Sequence, residues 1–307
     1  MKFRTLAARL FSVGLVAIVS TTTGGTIAAA SSHGASVPSS WQNARKLVPA
    51  SIRHNGIVGV ATTASYPPYE LYASNNETII GVDPDLGKAL GKILGLKFEF
   101  HNVTFGAIPT ELSDGHYDLG MSAIGDLTSR QKILNFVDYA SYGEAFLTPS
   151  GSSFKTRDLA DVCGETIASQ ASTSESAQLA NQNKICSNEG KKAINVLTYP
   201  SENTAVLAVH SGRAPALFTD LPTAIWVAKQ SPGEYRVIPM HDPKMKGITG
   251  LYGIAFSKTS KLLKPVEAAL KILIGNGTYK RIFTKWGVKR QMLRKVTINH
   301  AVTVTGG

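Results

Sequence analysis

The chain has 307 residues, 43% of them hydrophobic, with 32 lysines and arginines against 21 aspartates and glutamates. That is long enough for two domains or one large one, and too apolar for a disordered chain. The formal charge of +11 raises nucleic acid as a partner. The charges are scattered, however, and few aromatic residues are interleaved with them, so they read as a solvated basic surface and no nucleic-acid partner is expected.

Lys2, Arg4 and Arg9 give the chain a positive start, and a short apolar run follows from Leu10 to Ser20 ("LFSVGLVAIVS"). "TIAAAS" then offers an A-x-A cleavage site after Ala30, so residues 1–30 have the pattern of a secretory signal peptide. The run is too short to span a bilayer, and no later segment reaches about 18 apolar residues. An exported, soluble protein of the periplasm or extracellular space is expected. No cysteine lies near the cleavage site, which argues against a lipid anchor. Residues 31–50, rich in Ser, Ala and Pro, read as a linker with at most one short helix around Trp41.

The fold is expected to start at "GIVGVATTASYPPYELY", Gly56 to Tyr72, where Ile57 to Ala61 is a continuous apolar run of the kind a doubly covered strand shows. "VDPDLGKALGKILG" predicts a helix: Asp83 as cap, Pro84 in the first turn, and an apolar stripe of Leu86, Ala89, Leu90, Ile93 and Leu94 closed by Gly95. "LKFEF" is the next strand, a helix follows around Ile108 to Leu112, and another strand begins at Asp118. The rhythm then restarts. "ETIASQ", "AINVLTY" and "PALFTD" read as strands, with helices at "STSESAQLANQN", "SENTAVLAVHSG" (capped by Ser201) and "LPTAIWVAKQ" between and after them. "GLYGIAFSK" is a further strand, and terminal helices cover Leu262 to Ile274 and Tyr279 to Trp286. Residues 291–307 are expected to be an extended or loose tail. Two α/β units with parallel-type sheets result.

In open parallel sheets, ligands bind beyond the carboxyl ends of the strands. Four such ends are chemically unusual: "SYPPYE", "SAIGDLTSR", "QASTSES" and "FTDLP". Together they carry the parts needed to hold a zwitterion. Arg130 can grip a carboxylate through a two-pronged pair, with Thr173 and Ser174 adding a helix-start anion site. Asp220 can accept an ammonium, and Tyr66 and Phe105 can supply walls. Taken singly, Arg130 is more often a surface charge and Asp220 more often a helix cap. Cys163 and Cys186, the only cysteines, suggest one disulfide in an exported chain, the alternative being two buried free thiols.

Taken in order, these segments resemble the family 3 extracellular solute-binding proteins, the amino-acid receptors of ABC importers. "GVATTASYPPYELY", "GVDPDLGKALGKILGLKFEF", "FGAIPTELSDGHYDLGMSAIGDLTSRQKILNFVDYASYG", "CGETIASQASTSES", "SGRAPALFTDLPTA", "LYGIAFSK" and "IGNGTYKRIFTKWGV" follow the family's order over about residues 47–288. The resemblance implies a two-lobed periplasmic-binding-protein-like (type II) fold of α/β class. Residues 51–145 with 248–290 would form one discontinuous lobe and 146–247 the other, joined by crossing segments near Tyr142 to Phe146 and Lys246 to Leu251. It also implies that Arg130 binds the ligand's α-carboxylate, Asp220 its α-ammonium, and Tyr66, Thr173 and the segment from Ser122 to Gly125 other parts of it. This chain has Ala123 and Gly125 where relatives commonly have Ser or Thr, and Ser172-Thr173-Ser174 where they have Gly-Thr-Thr. It also has Thr63 where many binders of cationic side chains carry an acid, which weighs against lysine or arginine. The implied partners are an amino acid and a membrane permease, the expected state is monomeric, and no cofactor or metal is expected.

The main alternative is a cyclohexadienyl or arogenate dehydratase on the same scaffold, with Glu144 or Asp220 as general acid. No nucleophile elbow, P-loop, H-E-x-x-H or dinucleotide fingerprint is present, so no catalytic residue is expected. A sensory domain would need a downstream membrane segment, which the sequence lacks.

Overall fold

In the computed structural model, residues 37–240 and 250–301 are described. The expected signal peptide, the first residues of the expected linker, residues 246–249 of the expected second crossing segment and residues 302–307 lie outside them. The described chain opens with helices α1 (Ser39–Lys46) and α2 (Ala50–Asn55). It continues as β1 (Ile57–Thr62), a small sheet of β2 (Ser65–Tyr66), β3 (Glu70–Tyr72) and β4 (Ile79–Ile80), then α3 (Val82–Leu94), β5 (Lys97–Asn102), α4 (Ile108–Ser113), β6 (Leu119–Gly120), α5 (Thr128–Gln131) and β7 (Leu134–Tyr142). Next come β8 (Glu144–Pro149), β9 (Thr166–Gln170), α6 (Ser174–Asn188), β10 (Asn195–Tyr199), α7 (Glu202–His210), β11 (Ala216–Asp220), α8 (Leu221–Gln230) and β12 (Tyr235–Pro239). The last elements are β13 (Gly250–Ser257), α9 (Leu263–Gly275), α10 (Thr278–Lys285) and β14 (Met292–Ile298).

Two large sheets result, ordered β14-β7-β13-β6-β1-β5 and β10-β9-β11-β8-β12. The expectation of parallel-type sheets is corrected: both are mixed. β5, β1 and β6 are parallel, as are β10, β9 and β11, and the remaining pairings are antiparallel. The cause lies in the crossings. β7 runs into β8 through Gly143 alone, and the chain returns from β12 to β13, so each sheet receives strands that enter from the other.

Local signals explain most elements. In α3, Leu86, Leu90 and Ile93 are fully buried, and Gly95 ends the helix in the left-handed conformation. Asp83 does not cap this helix: the N-cap is Gly81, and Asp83 is buried, its Oδ2 accepting from the Ala123 N–H at 3.1 Å. Ser201 does cap α7, in a reciprocal box with Thr204.

The short helix expected around Trp41 is α1, and it is packed rather than part of a free linker: Ala44, with Val48 just beyond the helix, is buried in the main core. Arg45 ties α1 to α3 by donating to the Ile93 and Lys92 carbonyls at 2.8 and 3.1 Å. Of the tail expected to be extended or loose, Met292–Ile298 is extended, as the edge strand β14, with Thr297 Oγ1 donating to Asp138 Oδ2 on β7 at 2.6 Å. An edge strand buries little, so its weak apolar pattern suffices.

Each sheet has its own core. Leu86, Leu90, Tyr139, Phe256 and Phe283 pack around the first. Phe146, Ile167, Leu179 and Phe218 pack beside the second, together with the Cys163–Cys186 disulfide, whose Cα atoms are 5.7 Å apart.

Candidate ligand-binding cleft

The strand ends singled out in the sequence converge. Tyr66, Phe105, Ser122, Gly125, Arg130, Thr173, Ser174 and Asp220 all line one cavity. The first five come from segments around the first sheet and the last three from the second.

Arg130 sits in α5, directly after the end of β6 and its loop. Its Nη1 donates to the Gly125 carbonyl at 2.9 Å and its Nη2 to the Ser172 carbonyl at 3.0 Å. The guanidinium lies over the Phe105 ring, 5.3 Å from the centroid. Gly125 makes room for this arrangement, because a Cβ there would stand 3.1 Å from the Tyr142 hydroxyl and 3.3 Å from Arg130 Nη1.

Asp220 ends β11 and occupies the N-cap position of α8, yet its side chain makes no capping bond. It turns into the cavity instead, 3% exposed. Oδ2 accepts from Tyr66 at 2.8 Å and from the Tyr252 hydroxyl. Burial, and then the neighbouring Glu175 carboxyl, hold Asp220 well above the ordinary carboxylate range. Burial and Asp220 together likewise push the Tyr66 and Tyr252 hydroxyls up, so both remain donors.

The hydroxyls are largely committed to the protein. Ser122 Oγ donates to Glu70 at 3.1 Å and accepts from the Thr63 N–H at 2.9 Å. Thr173 caps α6, accepting from the Ser176 N–H at 3.2 Å and donating to the Gln170 carbonyl at 2.9 Å. Ser174 Oγ donates to Glu175 Oε2 at 3.2 Å.

Sequence reasoning missed Gln170, Glu175 and Tyr252, which also line the cavity. Tyr252 was visible only as a strand residue, and it stacks on Tyr142 at 4.4 Å between centroids. Glu175 stands inside "QASTSES" among hydroxyl residues that are themselves candidates. Thr63 spends its hydroxyl on the Val103 carbonyl at 2.9 Å. Glu144 is not a lining residue, and it accepts from Gln178. Among the described residues, no group of three or more His, Cys, Asp and Glu is placed to hold a metal.

The family model of the bacterial extracellular solute-binding proteins, family 3, matches residues 58–289. The chain is 30% identical to the arginine-binding protein ArgT of Corynebacterium glutamicum over 86% of its own length and 84% of that protein's. It is 28% identical to the ABC transporter arginine-binding protein 1 of Escherichia coli, covering 75% of the chain and 90% of the relative. Its fold superposes on an ancestral arginine-binding protein bound to arginine with a TM-score of 0.67 at 28% identity, over 75% of this chain and 98% of that one. The cyclohexadienyl dehydratase of Pseudomonas aeruginosa is a more distant relative, 26% identical over 55% of the chain and 61% of the enzyme. The matched span takes in the second sheet, the first sheet apart from its edge strand β14 and the first residue of β1, and every residue lining the cleft, and the chain belongs to the bacterial extracellular solute-binding proteins, family 3.

Proposed function

We propose that the protein is an extracytoplasmic receptor that binds an amino acid between its two lobes and delivers it to an ABC importer. Its family and the relatives most like it are binding proteins, not enzymes. The observation that carries the site assignment is the convergence of Arg130 and Asp220, from separate sheets, on one small cavity. In this reading Arg130 takes the α-carboxylate and Asp220 the α-ammonium, while Tyr66 and Phe105 form walls. Ser122, Gly125, Thr173 and Ser174 complete the lining with backbone and hydroxyl groups.

The lobe boundaries (residues 51–145 with 248–290, and 146–247) belong to the same proposal. So do action as a monomer, delivery to a membrane permease, and a periplasmic or extracellular location after removal of residues 1–30. No helix among the described residues is long and apolar enough to cross a membrane. A thermal-shift screen of the L-amino acids tests the function, with arginine heading the panel because relatives are named for it. A ligand at 100 times its Kd stabilises the folded state by about 2.7 kcal/mol. If no amino acid raises the melting midpoint, the reading fails.

A further inference from the structure

We propose that the cleft selects a ligand with two cationic groups, and that Glu175, beside Asp220, receives the second of them. This rests on the amino-acid receptor reading and deepens it. Glu175 is the second residue of α6 and is only 2% exposed. Its Oε2 accepts from Ser174, but its Oε1 meets no donor in the protein. On Asp220, Oδ2 is taken by two tyrosines and Oδ1 has no donor, and Gln170 Oε1 likewise has none. Three buried acceptors thus point into one small space without an N–H or O–H to satisfy them, an arrangement proteins rarely tolerate.

Charge counts the same way. The charge-bearing side chains lining the cavity are one guanidinium, Arg130, and two carboxyls, Asp220 and Glu175. A neutral zwitterion balances the cavity only if the pair keeps a proton; without that proton it leaves a surplus negative charge, which a desolvated site holds badly. An amino acid whose side chain ends in an ammonium or guanidinium cancels it, and also brings enough N–H groups for all three acceptors.

With protein groups alone, the pair can be satisfied in a different way. Burial, and then the Glu175 carboxyl beside it, hold a proton on Asp220, and that proton is the pair's own donor. Tyr66, Tyr142, Tyr252, Glu144 and Glu202 also act on the pair, and among the described residues the cation facing it is Arg130. A dicationic ligand therefore displaces that proton, whereas a neutral one leaves it in place.

Calorimetry with L-arginine and its neutral isostere L-citrulline tests this on the wild-type protein and on Glu175→Gln. Wild type should favour arginine by on the order of 100-fold, and Glu175→Gln should shrink the ratio below about tenfold by weakening arginine alone, as loss of a buried charge partner does. Arginine binding should also release a proton, seen as a binding enthalpy that varies with the buffer's ionisation enthalpy, while citrulline binding should not. Glu175→Asp keeps the charge and should retain much of the preference, provided its melting curve matches wild type. An unchanged ratio in Glu175→Gln overturns the proposal, as does a wild type that prefers citrulline or another neutral amino acid; the latter leaves the receptor reading standing. Failure of wild type to bind any amino acid overturns both.

Discussion

Arg130 Nη2 donates to the Ser172 carbonyl at 3.0 Å, so a side chain rooted beside the first sheet is fastened to the loop that opens α6 on the second. With Gly125 holding the other prong, the fork is already aimed before any ligand contact is considered. Arg130→Ala should cost ligand binding about 2–5 kcal/mol, roughly 30-fold to several thousandfold in Kd. Arg130→Lys should also bind poorly, since an ammonium cannot reproduce the two-pronged grip. Calorimetry with the ligand found by the thermal screen decides. A loss under about 1 kcal/mol would mark Arg130 as an ordinary solvated charge.

Gly106 and Ser172 meet where the two lobes approach. A Cβ on Gly106 would lie 2.6 Å from Ser172 Oγ and 3.1 Å from its Cβ. Gly106→Val should therefore act as a wedge. Small-angle scattering should give a larger radius of gyration at saturating ligand than wild type shows, and affinity should fall at least about tenfold. Wild-type values for both would mean that the loops separate without cost.

The disulfide closes a loop with a sequence separation of 23. In the chain-entropy model such a loop stabilises by about 3 kcal/mol. A Cys163→Ser/Cys186→Ser double variant should melt lower by several degrees in calorimetry, yet keep its ligand affinity, since neither cysteine lines the cleft. Equal melting midpoints would count against this.

Several buried carboxyls titrate far above the ordinary range, chiefly through burial: Asp83 at about 6, Asp126 at about 7 and Glu202 at about 8. The folded protein thus keeps protons that the unfolded chain releases from about pH 4 upward. Stability from these groups is highest at low pH and is lost as pH rises toward 8. The melting midpoint should be higher at pH 5.5 than at pH 8. Asp126→Asn should raise it at pH 8, because the amide still accepts from Gln131 and needs no proton beside Asp138. A midpoint that climbs with pH would contradict the sign.

The helices and strands of both α/β units were legible because capping residues, apolar stripes and turn glycines act locally, as at α3 and the Ser201 box. The residues proposed for the site were legible because unusual chemistry at strand ends stands out against apolar strands. What stayed hidden depends on distant partners. Asp83 looked like a cap until Ala123, forty residues on, was seen to claim its carboxylate. Glu175 carries no signal of its own among the hydroxyls of a helix start, and only the fold brings Asp220 beside it. β14 shows only a weak β-like pattern, and it is the edge of β7 that makes a strand of it.

The place of β13 in the first sheet has a consequence for assembly order. It lies between β7 and β6, and without it β6-β1-β5 and β14-β7 are separate pieces. The second sheet draws on one uninterrupted stretch, Glu144 to Pro239. As the chain emerges from its N-terminus, that sheet has all its strands while the first still waits for residues beyond 250. The later-numbered half can fold first, and the earlier half, with its longer-range pairings, closes last.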